Sequence, residues 1–184
     1  LIKERNWTVC DWGCAEGDGT QTLAKKLGWD VTGVDFSATA IERARAFYSD
    51  VKFSHENLLE APSRPSFDVL FSSNTLEHFP DPWAVFDKIS AYASRYAVLL
   101  VPYHEYERHA EHEVTFDSAN IPVSPKADWS LVYCATEDVS LRRPSFWNGE
   151  QVLLVFARTS ELAEQGLMLG DIARYDIDRH IADM

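Results

Sequence analysis

The chain of 184 residues has no long apolar run, few cysteines and no surplus of positive charge. A membrane-spanning helix requires about 18 or more consecutive apolar residues, and because no such run occurs we expect no membrane span. The three cysteines are too few, and odd in number, for a disulfide framework. Together with the lack of a visible signal peptide, they predict a reducing compartment, the cytoplasm. The abrupt start at Leu1 leads us to expect a segment of a longer protein.

The charge balance argues against nucleic acid as a partner. The chain carries 17 Lys and Arg against 29 Asp and Glu, a formal net charge of −12. Proteins that bind a nucleic-acid duplex neutralise its phosphates with a basic stripe. The densest basic groups here are only two pairs, Lys25 with Lys26 and Arg142 with Arg143. We therefore expect no nucleic-acid partner, whereas the acidity suits a cationic ligand.

The segment from Val9 to Leu27 combines a short apolar run that ends in Asp11, a glycine-containing loop and an amphipathic helix. The loop contains Gly13, Ala15, Gly17 and Gly19. In α/β domains such a turn brings backbone N–H groups up to a nucleotide-like ligand. A dinucleotide fingerprint would need a third glycine at position 18, where Asp18 would face the pyrophosphate instead. The Gly-Lys pair of a Walker loop is also lacking, so a ligand without phosphates is favoured and a nicotinamide-dependent oxidoreductase is disfavoured.

Residues 7 to 103 alternate predicted strands and helices at short intervals, which is typical of a parallel sheet with helices on both faces. The second strand ends at Asp35, Ser37 is placed to N-cap the helix that follows, and the third strand ends at Asn57. After Pro102 the regular pattern breaks. The segment 103–128 has no helical stripe, and a segment of that length is more often functional than idle. We interpret it as a lid and acceptor wall.

The sequence DWGCAEGDGT resembles the first motif of class I S-adenosylmethionine-dependent methyltransferases. FDVLFSSNTLEHFPDP is similar to the fourth-strand segment of that family, including the Leu-Glu-His of members that act on small molecules. The resemblance implies an α/β fold: a Rossmann-like, doubly wound, mostly parallel seven-stranded sheet with an antiparallel last strand. One departure is Ala15, which stands where the family usually has its second glycine, so the turn must avoid positive φ there or carry a modest strain.

The resemblance also implies S-adenosylmethionine as cofactor and S-adenosylhomocysteine as product. By this resemblance Asp35 accepts hydrogen bonds from the ribose hydroxyls, Phe36 lies against the adenine face, and Asn57 reads the adenine edge. The expected cofactor-binding residues are Asp11, Gly13, Cys14, Ala15, Gly17, Asp35, Phe36, Asn57, Leu58 and Asn74.

Three residues are candidates for catalysis. Methyl transfer to a hydroxyl needs an aligned acceptor and a base, a role that suits histidine near neutral pH. His78 follows the fourth strand; the alternative is a structural histidine bonded to Glu77 or to the backbone. His112 lies in EHEVTF, which resembles a histidine-containing lid of relatives whose fourth strand also ends in Glu-His. Glu77 completes the set, and His104 and His109 are taken as surface residues of the lid.

Some relatives, ubiquinone-pathway O-methyltransferases and small-RNA end methyltransferases among them, carry Glu-x-x-Glu-His here and hold a divalent ion. In this chain Asn74 replaces the first carboxylate, which disfavours a hard cation such as Mg²⁺. Glu77, His78 and His112 remain an alternative three-ligand site. We nevertheless predict no metal.

We therefore predict two segments: residues 1–159 form an S-adenosylmethionine-binding methyltransferase domain, with the lid at about 103–128, and residues 160–184 form a C-terminal helix or linker. The predicted function is O-methylation of a hydroxyl on a small molecule or glycan. The alternative is a cofactor-binding or scaffolding domain of a larger protein without turnover of its own. A neighbouring domain of the full-length chain is a further expected partner.

Overall fold

The structure is a computed structural model that describes residues 6–61, 67–142 and 147–166. Strands and helices alternate as far as β3, which is followed by a second strand, β4. In chain order the elements are β1 (Thr8–Trp12), α1 (Asp18–Leu27), β2 (Asp30–Asp35), α2 (Ala38–Phe47), β3 (Lys52–His55), β4 (Phe67–Ser73), α3 (Pro82–Ile89), β5 (Ala93–Pro102), β6 (Trp129–Asp138), β7 (Glu150–Arg158) and α4 (Thr159–Glu164). Short 3-10 helices cover Leu76–His78 and Ser90–Tyr92.

The seven strands form one sheet in the order β3-β2-β1-β4-β5-β7-β6. β1 pairs in parallel with β2 and with β4, and β2 pairs in parallel with β3. β7 runs antiparallel to β6. The predicted fold class, a mostly parallel Rossmann-like sheet of seven strands with an antiparallel last strand, is confirmed.

The chain divides into two compact units. The first comprises Leu1–Ser73 and Asp87–Ala97. Its central strand β1 is buried from Val9 to Trp12 because it has a parallel neighbour on each side. Trp7 packs between the rings of Trp29 and Tyr96, with ring centroids 5.5 and 5.3 Å away.

The second unit comprises Asn74–Phe86 and Val98–Met184. Its described core is aromatic: the Phe86 ring lies 5.9 Å from Trp129 and 5.1 Å from Phe156, and all three side chains are fully buried. Asp81 N-caps α3, since its Oδ1 accepts a hydrogen bond from Ala84 N at 2.9 Å. Pro82 then occupies the first helical position, where its missing N–H costs nothing.

The end of β3 differs from its predicted position, and the predicted C-terminal segment is described only in part. β3 ends at His55 rather than at Asn57, because the Asn57 carbonyl accepts from the amides of Glu60 and Ala61 and so begins a turn. At the C-terminal end only α4 and the two residues after it are described; the rest of the predicted helix or linker, 167–184, lies outside the described residues. Among the described residues no helix is long and apolar enough to cross a membrane.

Candidate functional site

The loop between β1 and α1 bends through three residues with left-handed backbone: φ is 76° at Gly13, 46° at Ala15 and 89° at Gly17. Of the two outcomes expected for Ala15, positive φ with modest strain is the one observed. The amide of Ala15 donates to Asp35 Oδ2 at 3.0 Å, and the amide of Gly13 donates to Val34 O at 2.9 Å. The end of β2 therefore holds the loop in its strained shape.

Close packing explains why Gly17 has no side chain. A Cβ built there would lie 2.6 Å from the Phe53 ring, closer than real Cβ atoms approach. A Cβ built on Gly33 of β2 would likewise lie 2.7 Å from the Phe53 ring. Phe53 packs in a small cluster with Cys14 and Ile41, so the loop rests directly on the core.

Asp11 lies beneath this loop and is only 4% exposed. Its Oδ2 accepts a hydrogen bond from the fully buried hydroxyl of Thr20 on α1, at 2.6 Å. The pKa of Asp11 is raised to about 6, mainly by burial; the Thr20 bond lowers it and the Asp35 charge adds to the rise. Asp11 thus ties β1 to α1. The sequence reasoning missed Thr20, although a hydroxyl nine residues after the acid in the first helical turn was a usable signal.

Asp35 is the last residue of β2 and Phe36 follows it, and their side chains differ in exposure. The Asp35 side chain accepts from Ala15 N on one oxygen and from Ser37 N on the other, at 3.0 and 2.8 Å. A carboxylate oxygen has two lone pairs, so each oxygen keeps room for a second donor. Phe36 is 72% exposed, an unusual state for a large apolar ring. Ser37 N-caps α2 as predicted, accepting from Ala40 N at 3.3 Å.

The remaining predicted cofactor residues of the first unit are more enclosed. Asn57 Oδ1 accepts from Leu59 N at 3.1 Å, and Leu58 is buried at 3% exposure. Cys14 is also buried, and burial raises the pKa of its thiol to about 12. A thiol with so high a pKa is not a nucleophile, which agrees with a role as a small packing residue.

Asn74, the first residue of the second unit, is exposed and has φ 50°. Its Oδ1 accepts from Gln151 Nε2 on β7 at 2.7 Å, and its amide donates to Leu100 O at 2.8 Å. These bonds fix the orientation of the side-chain amide. Gln151 was not foreseen, because the two residues are 77 positions apart and no local pattern links them.

Glu77 is fully buried, and neither carboxylate oxygen has a hydrogen-bond partner among the described residues. The pKa of Glu77 is raised to about 7, mainly by burial and in smaller part by the charge of Glu105. His112 Nε2 lies 4.0 Å from Glu77 Oε1, beyond hydrogen-bonding distance. At neutral pH a large share of Glu77 is therefore a neutral acid.

His112 is positioned by Glu105, whose Oε2 accepts from its Nδ1 at 2.6 Å. Both side chains are nearly buried, at 7% and 10% exposure. Because a carboxylate only accepts, the proton of a neutral His112 ring lies on Nδ1 and Nε2 is left as a base. Trp147 stacks on the ring at 5.6 Å. The role of Glu105 was not predicted, since the irregular segment offers no periodicity that would pair it with His112. Trp147 was a candidate for framing the acceptor, but its stacking on His112 was not foreseen because the two residues lie in different segments.

His78 is exposed, and its Nδ1 donates to the carbonyl of Glu111 at 3.0 Å. This is a backbone bond of the kind expected for a structural histidine. Its ring also meets His112 edge-on, with ring centroids 4.8 Å apart. The structure thus brings together all three predicted catalytic residues; their roles stay predictions.

The same three residues are the group that could hold a metal ion. One ligand atom from each of Glu77, His78 and His112 lies within 4.8 Å of the others. Zinc bound by nitrogen and oxygen at about 2.0–2.1 Å spaces tetrahedral ligand atoms roughly 3.3 Å apart, so the side chains would need to close in slightly. Asn74 is not in this group, and its side-chain oxygen already accepts from Gln151.

Arg142 forms an exposed ion pair with Glu137, and Arg143 lies outside the described residues.

Comparison with known proteins gives the family. A family model described as a methyltransferase domain matches residues 3–157. A similar curated protein is 27-O-demethylrifamycin SV methyltransferase of Amycolatopsis mediterranei, 35% identical over 84 residues that cover 42% of this chain and 31% of the relative. Trans-aconitate 2-methyltransferase of Afipia carboxidovorans is 25% identical over 76% of this chain and 54% of its own. The chain spans about a third of the length of the first curated relatives it matches.

Solved structures agree in fold. Magnesium protoporphyrin IX methyltransferase from Synechocystis PCC 6803, solved with bound S-adenosylmethionine, superposes with a TM-score of 0.63 at 18% identity, over 83% of this chain and 70% of its own. A methyltransferase from Methanosarcina mazei gives 0.68 at 15% identity, over 85% and 94%. The chain therefore belongs to the methyltransferase domain family and shares the Rossmann-like fold of these solved methyltransferases.

Proposed function

We propose that the domain binds S-adenosylmethionine at the β1–α1 loop and methylates a hydroxyl of a small molecule or glycan. The observation that carries this proposal is the loop itself: a left-handed bend at Gly13, Ala15 and Gly17, held by the carboxylate of Asp35. Left-handed backbone at Gly13 and strain tolerated at Ala15 support close approach of the loop backbone to a ligand, because strain of this kind clusters at ligand sites.

The end of β2 offers groups that match an adenosine. Asp35 has acceptor capacity left for two ribose hydroxyls, while the neighbouring Phe36 presents an exposed ring for the adenine face. Neither group would meet a phosphate favourably, because one is an anion and the other is apolar. When bound, S-adenosylmethionine supplies a methyl group already activated by the sulfonium.

The second unit supplies the groups for the acceptor proton. His112 Nε2 is the base in this proposal, because Glu105 holds the opposite ring nitrogen. The name of the rifamycin relative supports oxygen as the methylated atom, whereas trans-aconitate in the other relatives is a carboxylic acid. We favour a hydroxyl because a base is superfluous for an ionised carboxylate.

Calorimetric titration with S-adenosylhomocysteine and, separately, with NAD tests the cofactor. We expect heat from the first only, and at least tenfold weaker binding in Phe36→Ala. Phe47→Ala is the matched control, since Phe47 is 67% exposed on α2, and it should leave the affinity unchanged. Binding of NAD alone, or equal effects of the two variants, would contradict the proposal.

Turnover separates an enzyme from a scaffold. Formation of S-adenosylhomocysteine is followed with a panel of hydroxylated acceptors, in the parent and in His112→Gln. We expect His112→Gln to slow turnover with little change in cofactor affinity. Cofactor binding without turnover on any acceptor would favour the scaffolding alternative.

A further inference from the structure

The second unit contains an open cleft of about 400 Å³. Two short stretches of chain line it, residues 103–107 at the start of the irregular segment and residues 147–150 before and at the start of β7. The bridge from Tyr103 to Phe116 and the bond from His104 N to Phe116 O, at 3.0 Å, hold the first stretch. The second is held to it by Tyr103 N, which donates to Glu150 O at 2.9 Å. The cleft thus has defined walls.

Aromatic rings make up much of these walls. His104 and Tyr106 are stacked almost in parallel, with ring centroids 5.7 Å apart and an angle of 14°. Tyr106 is nonetheless 70% exposed, so one face of this stack remains open to a ligand. Trp147 belongs to the second lining stretch, residues 147–150. Flat ring surfaces of this kind recognise another flat ring by offset stacking.

The charge in the cleft is negative. Three glutamates, Glu105, Glu107 and Glu150, are among its lining residues, and the described lining includes neither Lys nor Arg. Glu150 is bonded to His104 Nδ1 at 3.0 Å, and Glu105 is bonded to His112. Glu107 is exposed. An anionic ligand would face at least this carboxylate without a described cation to balance it, whereas a cation would be attracted.

Glu105 links the cleft to the proposed base. Glu105 is one of the lining residues, and its carboxylate holds His112 Nδ1 at 2.6 Å; Trp147 is another, and its ring stacks on His112. A molecule in the cleft therefore lies beside the two residues that position His112. Because the cleft lies beside the residues that position the proposed base, it is the candidate site for the acceptor.

We propose that this cleft binds the acceptor, and that the acceptor is a hydroxylated aromatic ring compound without negative charge. The inference rests on the proposed function, since only a methyltransferase has an acceptor. It narrows the small-molecule or glycan hydroxyl to a phenol-like ring that is neutral or cationic, and it excludes polycarboxylates and phosphate esters.

Three phenols of nearly equal size and different charge test the proposal: tyramine, 4-hydroxyphenethyl alcohol and 4-hydroxyphenylacetate. Their dissociation constants for the full chain are measured by ligand-observed NMR at low and at moderate salt. We expect tyramine to bind best and the acetate at least tenfold more weakly, with a smaller ratio at higher salt because the lining charges are screened.

Variants of exposed residues separate ring recognition from charge without threatening the fold. Tyr106→Ala should weaken binding of all three phenols by a similar factor, because it removes the open ring face. Glu107→Gln should reduce the ratio between tyramine and the acetate. Glu111→Gln is the matched control: it removes the same charge from the same exposed segment outside the cleft lining, and we expect it to leave the ratio unchanged.

Failure to bind any of the three phenols, equal or tighter binding of the acetate, or indifference to Tyr106→Ala would overturn the inference. The titration with S-adenosylhomocysteine is run on the same samples. If the cofactor binds while the charge series is flat, the acceptor inference fails and the proposed function stands. If the cofactor does not bind, the proposed function fails.

Discussion

Ala15 is the residue at which this chain departs from the first motif of its family, and the backbone at this position is strained. With φ 46° it occupies a region that costs a residue with a Cβ about 1–2 kcal/mol. The cost is tolerated because Asp35 holds the Ala15 amide and the loop leaves little freedom for another shape.

Ala15→Gly should therefore be neutral or raise the free energy of unfolding by up to about 1 kcal/mol, since the relieved strain outweighs the added freedom of the unfolded chain. Ala24→Gly, inside α1, is the matched control and should lower it by about 1 kcal/mol. Urea denaturation measures both. Equal losses in the two variants would show that Ala15 is not strained.

Asp11 should make stability depend on pH. Its folded pKa of about 6 exceeds the ordinary 3.8, so the folded chain binds more protons between these values, and the free energy of unfolding falls as pH rises from about 4 to 6. Asp11→Asn removes this titration and should make the protein more stable than the parent above pH 6, by up to about 3 kcal/mol. The difference should vanish near pH 4.

Urea denaturation at pH 4, 5, 6 and 7 provides the comparison, with Asp50→Asn on an exposed side chain as the control for lost charge. If the difference between Asp11→Asn and its parent did not change with pH, the burial argument for Asp11 would be wrong.

At the scale of single residues, the sequence indicated those whose role depends on neighbours within a few positions. Asp11, the loop glycines and Ser37 lie in patterns read over a few positions, and Ser37 was correctly placed as an N-cap. Glu105 and Gln151 were missed because their partners lie in other segments of the chain. Contacts of that kind leave no mark on composition or periodicity.

Among the elements, the β1–α1 loop and β3 depend on each other through one ring. Gly17→Ala places a Cβ 2.6 Å from Phe53, which should lower the free energy of unfolding by about 1–3 kcal/mol beyond any backbone strain. Gly28→Ala is the control: φ there is also positive, at 68°, but nothing lies within 4 Å of the new Cβ. Thermal or urea unfolding of both variants isolates the packing effect, and equal losses would contradict it.

The irregular segment after β5 is held at several points by one residue, Glu105. Glu105 accepts from His109 N at 2.7 Å and from His112 Nδ1, while its carbonyl accepts from Thr115 Oγ1 at 2.7 Å. We expect Glu105→Ala to speed amide hydrogen exchange at His109 and Glu113 at least severalfold. Glu107→Ala, on an exposed neighbour, should not. Unchanged exchange in Glu105→Ala would mean that other contacts hold the segment.

The existence of this segment was predictable, since prolines and scattered acids interrupt every periodic pattern after Pro102. Its internal order was not. Residues 103–128 contain no helix or strand beyond two isolated bridges, Tyr103 with Phe116 and Lys126 with Trp129. Their shape comes from side-chain bonds that local sequence does not encode.

For the whole molecule, the order of the sheet follows from the run of motifs between residues 7 and 103, which matches a family with one strand order, β3-β2-β1-β4-β5-β7-β6. The resemblance to the family also implied the antiparallel last strand, which the structure shows in the pairing of β6 with β7. What the sequence could not supply was the acceptor cleft, because its two walls come from stretches some forty residues apart.

We keep the prediction that turnover needs no metal. The pKa of the buried Glu77 carboxyl is raised to about 7, so this group can avoid a buried negative charge by holding a proton instead of a metal cation. Dialysis against a chelator should leave turnover unchanged, and elemental analysis should find far less than one bound ion per chain. Loss of activity restored by zinc would show that Glu77, His78 and His112 form the alternative metal site.

The most direct measurement is a crystal structure of the chain with S-adenosylhomocysteine. The account predicts both ribose hydroxyls within about 2.5–3.0 Å of the Asp35 carboxylate oxygens, the adenine against Phe36, and the loop at residues 13–17 unchanged in backbone. A ligand bound elsewhere, or a loop that must rebuild before the ligand fits, would contradict it.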